Sequence, residues 1–434
     1  MTVPGVEIDR IDSAIAELDA KIASVVDAVL HEPKFQSLEA AWRGLAFVVE
    51  RIAHDEKIEL SVWSFSKRDL RADFEEAVEL TASRMYRAVY TAEYGQFGGR
   101  PYGAIFLDAT FSAAPPDIAL LRRLSAVAAT AHAPIFVGAD PRLFRVERFS
   151  SLSLATDLGA IFEEPTAVPW NGFRATEDSR YVGVLLPRML LRVPYREEGE
   201  SARRFVYDER IRDDADYLWG SPIFAFAVRI ADSFARQRSY AGVLGTFNDA
   251  PPVLEEHRAL GHAHRKPPVE VMFSRRLEQA LTELGFIPLT CDPIASTLRF
   301  TTANSVQQPR QFGSAEGGEL ATLNFLLGTR IPYLLLACRF AHYLKVLERE
   351  RVGGHRTRDE IERELNEWLA QYVVVMDNAS PATRLKYPLR NGHVKVSAVP
   401  GNAELYRMEV LIVPHMKYMR QAFTLSVAGK LEAR

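Results

Sequence analysis

His262-Ala263-His264 sets two histidines at alternate positions, the spacing that puts both on one side of a strand as neighbouring metal ligands. Zinc takes three or four organised ligands, and no carboxylate stands at a recognisable spacing in this proline-bounded stretch, so no metal is expected. Glu93-Tyr-Gly-Gln-Phe-Gly-Gly gathers Gly95, Gly98 and Gly99, the nearest approach to a phosphate loop. Its spacing is neither the Walker nor the dinucleotide pattern, and no Lys-Ser or Lys-Thr pair follows. A turn that needs positive φ is the stronger reading. Glu177 and Asp178, beside Arg174 and Arg180, could serve as an acid and a base, but an ion-pair network at a packing surface is the commoner use of such residues. His342 lies between Phe340 and Tyr343 on a helical stretch and is expected to satisfy a hydrogen bond. There is no GxSxG elbow and no HExxH helix. Basic residues are not interleaved with aromatics as nucleic-acid stacking requires. These patterns nominate no catalytic residue, no cofactor and no metal.

The hydrophobic pattern is far more informative. Ile8, Ile11, Ile15, Leu18, Ile22, Val25 and Val29 recur at steps of three and four, which predicts a helix with a narrow apolar seam. His31-Glu32-Pro33 separates it from a second helix carrying Phe35, Leu38, Trp42, Leu45 and Val49. Ile58 to Phe65 reads as a short strand and Asp69 to Tyr90 as helix. Strands and helices then alternate. Tyr102 to Leu107 and Pro134 to Gly138 are buried runs flanking a helix over Pro116 to Ala131, which argues for a parallel or mixed sheet under helices. Strands at Tyr181 to Leu186 and Leu190 to Val193 follow, then an apolar helix over Trp219 to Arg236. Thr246 to Pro268 reads as an exposed loop, Val269 to Phe273 as a strand and Ser274 to Leu284 as a helix.

Gln307 to Gly318 is polar and Gly-rich and marks a domain boundary. Beyond it a long helix is expected over Leu320 to Arg351, kinked at Pro332 and stopped by Gly353-Gly354. Thr357 and Glu360 form a capping box for a helix that buries Ile361, Leu365, Trp368, Leu369 and Tyr372. Paired strands follow around Val394 to Val399 and Leu405 to Val413, with Pro400-Gly401-Asn402 as their turn. A last run alternates Phe423, Leu425, Val427, Gly429 and Leu431 with Thr424, Ser426, Ala428 and Lys430, a half-buried strand. Such a strand can pair within its own domain or complete the sheet of a neighbouring subunit. The fold class is therefore mixed α/β (α+β): a mixed sheet with covering helices, then a C-terminal domain of helices and antiparallel strands. Segments 1–56, 57–312 and 313–434 are the expected domains.

With 434 residues the chain has room for two or three cores. Hydrophobic residues at 47% and charged ones at 25% are ordinary for a soluble globular protein. The 53 basic and 56 acidic residues leave a net charge of −3, which excludes a polyanion binder for the molecule as a whole. From Pro381 onward nine Lys or Arg face only Glu404, Glu409 and Glu432. A basic end on an acidic body suits head-to-tail contacts or an anionic partner, and equally a plain solvated face. Cys291 and Cys338 are the only cysteines and no CxxC occurs, as suits a reducing cytoplasm. No signal peptide opens the sequence, and the most apolar stretch, Ile331 to Val346, is broken by Pro332, Arg339, His342 and Lys345.

Several blocks resemble the large subunit of the contractile sheath of the type VI secretion system, the TssC/VipB (ImpC/EvpB) family. They include Glu32-Pro-Lys-Phe-Gln-Ser-Leu-Glu-Ala-Ala-Trp-Arg-Gly-Leu45, Glu93-Tyr-Gly-Gln-Phe-Gly-Gly-Arg-Pro-Tyr102 and Ala131-His-Ala-Pro134. Glu177-Asp-Ser-Arg-Tyr-Val-Gly183, Tyr217-Leu-Trp-Gly220 and Ala303-Asn-Ser-Val-Gln-Gln-Pro309 continue the series. Arg339-Phe-Ala-His-Tyr-Leu-Lys-Val346 and Tyr387-Pro-Leu-Arg390 close it, all in family order over nearly the whole chain. The resemblance implies a phage-tail-sheath-like fold and a cytoplasmic structural protein with no enzymatic activity. It implies pairing with the small sheath subunit (TssB/VipA), helical polymerisation around a tube of Hcp rings on a baseplate, and indirect dealings with the ClpV disassembly ATPase. Nucleic acid and direct membrane insertion are not implied. Ile11, Ile15, Leu18, Ile22 and Trp42 then become the small-subunit or packing interface. Phe423, Leu425, Val427 and Leu431 become an intersubunit strand, while Glu177, Asp178, Arg180, His342 and Arg390 become structural motif residues. Family members usually begin several dozen residues earlier, with an arm that joins the strand exchange, and Thr246 to Pro268 also diverges. An ordinary sheath subunit and a shorter accessory or capping paralogue both fit, the latter alongside a full-length large subunit. An α/β enzyme with a site around Glu177, Arg180 and His132 is the alternative from another class.

Overall fold

Four short runs form the centre of the fold; three are buried on both faces and need no polar alternation, while Ile105–Phe111, at one edge, exposes Asp108 and Thr110. They are β1 (Ile105–Phe111), β2 (Ile135–Ala139), β3 (Val182–Leu186) and β4 (Phe286–Pro288), all parallel and side by side in that order. Ile135, Val137, Val184 and Phe286 point into one core with the Pro115–Ala131 helix, Trp170 and Phe173. Phe136, Leu185 and Ile287 point into another, shared with the Ile223–Gln237 and Ile331–Glu350 helices. The period of two thus feeds two separate cores. The computed structural model describes residues 8–52, 58–154, 157–196, 205, 207–237, 240, 242–246, 255–259, 262–292, 297–313, 318–350, 357–376, 380, 383, 387–399, 402–415 and 425–432. Of these it gives backbone alone at 8–9, 154, 237, 246, 255–259, 262–265, 320, 348, 350, 398–399, 402–407 and 425–432.

The second half adds an antiparallel sheet of β5 (Leu389–Val399), β6 (Asn402–Pro414) and β7 (Leu425–Glu432), in that order. Val394, Val396, Met408, Val410 and Ile412 lie on its buried face, in one core with Leu365 and Leu369 of the Arg358–Ala370 helix. The Ile331–Glu350 helix ties this half to the first. His342 Nε2 donates to the Ala131 carbonyl at 3.1 Å, and Lys345 Nζ to that of Thr130 at 3.3 Å, both at the C-terminus of the Pro115–Ala131 helix. Cationic or donor groups are favoured there because the last carbonyls lack helical partners. Arg349 donates to the carbonyls of Glu93 and Gly99 at 2.8 and 3.1 Å.

The structure departs from the sequence reading in several places. Ile58 to Phe65 is extended but joins no ladder, so it is not a strand. Helix over Asp69 to Tyr90 is broken: Lys67–Glu76 ends before a 3-10 turn at Leu80–Ala82, and a π-turn occupies Arg87–Thr91. Leu218–Gly220 is a strand against Met189–Arg192, and the following helix starts only at Ile223. Val269 makes a single bridge to Met189 instead of opening a strand. Within the expected loop, Glu255–Ala259 pairs with His262–Lys266 as a hairpin. The long helix is two, Gly318–Gly328 and Ile331–Glu350, parted at Thr329-Arg330. Pro332 stands in the first turn of the second, where its missing N–H costs nothing, so it starts a helix and does not kink one.

Candidate assembly interface

Two helices lead the chain out from the body: α1 (Ile8–Leu30) and α2 (Pro33–Arg51). Glu32 caps α2, accepting from the Phe35 amide at 2.9 Å, and Pro33 occupies its first position. From residue 10 to the end of α1 only Ala23 and Asp27 are buried. Asp27 is the anchor: it accepts from Tyr207 Oη at 2.6 Å and from the Arg210 amide at 3.3 Å. Around the turn, His31 meets Glu209 at 3.0 Å and Asp216 at 3.5 Å. Arg192 binds Glu39 of α2 at 2.9 Å and pairs with Glu209. Burial alone would raise the Glu209 carboxyl, but the Arg192 guanidinium and the Tyr195 amide outweigh it and hold it below the usual carboxylate range. Close packing completes the root. A Cβ on Gly44 would stand 2.2 Å from the Phe224 ring, so only glycine lets α2 approach the Ile223–Gln237 helix this closely.

The seam itself is open. Ile11, Ile15, Leu18 and Ile22 are all exposed, Leu18 by 57%, and so are Val25 and Val29. On α2, Leu38 and Trp42 are exposed, Trp42 by 66%. Contiguous apolar surface of this kind on a folded chain marks a contact surface. The expected seam residues thus lie on two consecutive helices and are left exposed by the described residues.

The C-terminal sheet has two unlike edges. In the single chain β7 pairs with β6 over eight positions, from Leu405↔Glu432 to Ile412↔Leu425. Leu425, Val427 and Leu431 lie in that ladder, described by backbone only, and Phe423 lies outside the described residues. The opposite edge, on β5, is covered. Leu389 exchanges backbone hydrogen bonds with Tyr372 and Val374 at 3.1 and 2.9 Å. Asn366 then takes both backbone groups of Val394, accepting from its N–H at 2.9 Å and donating to its carbonyl at 2.7 Å. Glu362 accepts from the Val396 N–H at 2.8 Å.

The other singled-out residues do not converge on a reaction centre. Neither Glu177 nor Asp178 makes an ion pair with Arg174 or Arg180 among the described residues, contrary to the expected network. Arg180 donates to Gln307 Oε1 at 3.0 Å and lies over the Phe325 ring. Arg174 donates to the Val306 carbonyl at 3.0 Å, and burial lowers its pKa to about 10. Burial, then Glu177, raises the Asp178 carboxyl. These groups hold the 174–181 turn to the strand-like segment at Val306 and Gln307. Arg390 sits at the irregularity between Leu389 and Asn391 in β5. His262 and His264 lie on the hairpin strand with His257 opposite His264, side chains outside the described residues. Gly98 takes φ 83°, as the expected turn requires. Among the residues searched, no group of three or more His, Cys, Asp or Glu is placed to hold a metal, and no helix is long and apolar enough to cross a membrane. Sequence reasoning missed the hairpin root and the β5 edge, because Arg192, Glu39 and Asn366 meet partners distant in sequence and no local period announces them.

Comparison with known proteins agrees with the resemblance. The family described as EvpB/VC_A0108, tail sheath N-terminal domain, matches residues 12–307, and the tail sheath gpW/gp25-like domain of the same family matches residues 320–431. The type VI secretion system sheath protein TssC1 of Pseudomonas aeruginosa is 33% identical over 98% of this chain and 86% of its own length. Among solved structures, a chain of the anti-feeding prophage baseplate aligns at 10% identity and TM-score 0.35 over 88% of this chain and 80% of that one. The sheath tail protein Lin1278 of Listeria innocua aligns at 9% identity and TM-score 0.32 over 74% and 61%. Those two scores are too low to carry an argument, and the family matches need none from them. The chain belongs to the EvpB/VipB tail sheath family, and it is a structural sheath protein of the type VI secretion kind.

Proposed function

We propose that this chain is the large subunit of a contractile sheath that pairs with a small sheath subunit through the α1–α2 seam and interlocks with further copies through its terminal strand. It works in the cytoplasm, wraps a tube of stacked Hcp rings on a baseplate, and drives that tube out when the lattice shortens. It carries no catalytic site and no cofactor. Residues 1–56 serve as the small-subunit contact, 57–312 as the sheath body and 313–434 as the interlocking domain.

The observation that carries this reading is the connection between β6 and β7. An antiparallel pair needs only a two-residue turn. Here residues 415–424 intervene, enough chain to reach about 35 Å when extended. A strand on so long a tether can occupy the same place in its own sheet or in a neighbour's, which is the geometry of strand exchange. Truncation after Met419 tests it. On co-expression with the small subunit, the truncated chain is expected to remain folded and to co-purify as a heterodimer, while tubules seen by negative-stain microscopy disappear. Tubules of normal length from the truncated chain would refute strand exchange. Loss of the heterodimer with the fold intact would refute assignment of small-subunit binding to the seam alone.

A further inference from the structure

The unlike edges of the C-terminal sheet carry a further inference. A sheet edge is a row of unpaired N–H and C=O groups that templates any free strand. A protein that exchanges strands must keep one edge available and deny the other, or copies will add to both sides and the assembly will branch. We infer that the Arg358–Ala370 helix, through Asn366 and Glu362, is an edge guard that confines strand addition to the β6 side of the sheet, so that the incoming strand of a second copy has one place to go. This rests on the reading of β7 as the exchanged strand.

The geometry is specific to that task. Along β5, backbone groups of Leu389, Val394 and Val396 are met from outside the sheet. Tyr372 and Val374 take Leu389 through main-chain bonds. Asn366 takes Val394 with acceptor and donor together, as a neighbouring strand would. Glu362 takes the Val396 amide. The Asn366 amide is a side-chain copy of the peptide group and satisfies both backbone polarities at once. Asn366 and Glu362 are one turn apart on the helix and so fall on the same face. Thr357, whose hydroxyl accepts from the Glu360 amide while Glu360 Oε2 accepts from the Thr357 amide at 2.8 Å, fixes the start of that helix and with it the guard's register. Between the guarded positions Lys395 is exposed. A charged residue there adds to the defence of an edge.

The test uses the full chain with and without the small subunit. Asn366→Ala should raise hydrogen exchange at the Val394 amide at least about tenfold, and adding Glu362→Ala should do the same at Val396, since each amide then loses its acceptor. A cysteine at position 395 (Lys395→Cys) should then cross-link copies through β5 in the Asn366→Ala background and not in the parent. With the small subunit, the same variant should give laterally fused or branched tubules. If Asn366→Ala loses its fold by circular dichroism, Asn366→Asp serves instead: it accepts from Val394 N–H but cannot donate to its carbonyl. Unchanged exchange at Val394 in folded Asn366→Ala, or no cross-linking through position 395 in whichever Asn366 variant folds, overturns the guard; in Asn366→Asp, which keeps the Val394 acceptor, cross-linking alone is the readout. Those results leave the β7 truncation experiment untouched, so failure of the guard and failure of strand exchange are told apart.

Discussion

Mild acid should loosen the joint between the two halves of the chain through His342. The residue is 8% exposed, and its Nε2 donates to the Ala131 carbonyl at the end of the Pro115–Ala131 helix. Burial, reinforced by the charges of Lys345 and Arg339, lowers its pKa from 6.5 to about 4, although the bond to Ala131 pulls the other way. His132, whose ring centre lies 6.5 Å away, is pushed in the same direction by burial, by Lys345 and by His342 itself. Tyr94 also faces this site, its hydroxyl donating to the Ala131 carbonyl at 2.7 Å. The unfolded chain takes up the proton at the ordinary value and the folded chain refuses it until about pH 4. Stability is therefore full above the ordinary value and falls as pH drops through that window. At about 1.4 kcal/mol per unit, the loss from His342 alone is about 3 kcal/mol. The perturbation is His342→Gln, which keeps an amide donor for Ala131 and cannot titrate. Urea unfolding of both proteins across the window isolates the term, because carboxylates titrating in both cancel in the difference. The stability advantage of the parent over the variant should shrink by about 3 kcal/mol between about pH 7 and pH 4. A constant difference would refute the reasoning.

Two further outcomes follow from the hairpin root. Gly44→Ala should destabilise by up to about 2 kcal/mol in thermal unfolding, since the new Cβ meets the Phe224 ring and overpacking of about 1–3 kcal/mol exceeds the helix-propensity gain of about 1 kcal/mol; a net stabilisation would show that α2 can move off the body freely. Arg192→Met leaves Glu209 and Glu39 beside one another without their shared guanidinium, and should cost about 3–5 kcal/mol in denaturant unfolding; a loss below about 1 kcal/mol, the range of exposed pairs, would show the network is solvated.

How much of this was legible depended on whether the signal was local. The capping box at Thr357 and Glu360 stands as read, because all its partners lie within one turn. The Pro115–Ala131 helix and the runs at Ile135–Ala139 and Val182–Leu186 were readable from composition, since a parallel strand buried on both faces is simply a short apolar block. The same rule misled at Leu218–Gly220, where three apolar residues abut an apolar helix and no period separates them. It misled again at Ile58 to Phe65, whose composition suits a strand but which joins no ladder among the described residues, with Leu60, Val62, Trp63 and Phe65 exposed. The hairpin at Glu255–Ala259 and His262–Lys266 was hidden by its charged and histidine-rich strands, which lack apolar alternation.

The exposed seam and its polar root together make an argument about α1. A solitary helix in water is marginal, and most helical stability in proteins comes from burying an apolar face. In α1 the apolar face is the exposed one, and its buried residues from position 10 onward are Ala23 and Asp27, the latter bonded to Tyr207 and the Arg210 amide. Tyr207 and Arg210 therefore fix the last turn of the helix but contribute little to keeping its first turns wound. Ile11, Ile15, Leu18 and Ile22 can stabilise those turns only when another apolar surface covers them, each worth about 1.5–3 kcal/mol on full burial. In the proposed assembly, covering the seam and stabilising α1 are therefore coupled. In the proposed assembly the root sets the place of contact: Arg192 and Glu209 are buried and Glu39 half-buried, and their ion pairs hold α2 against the body.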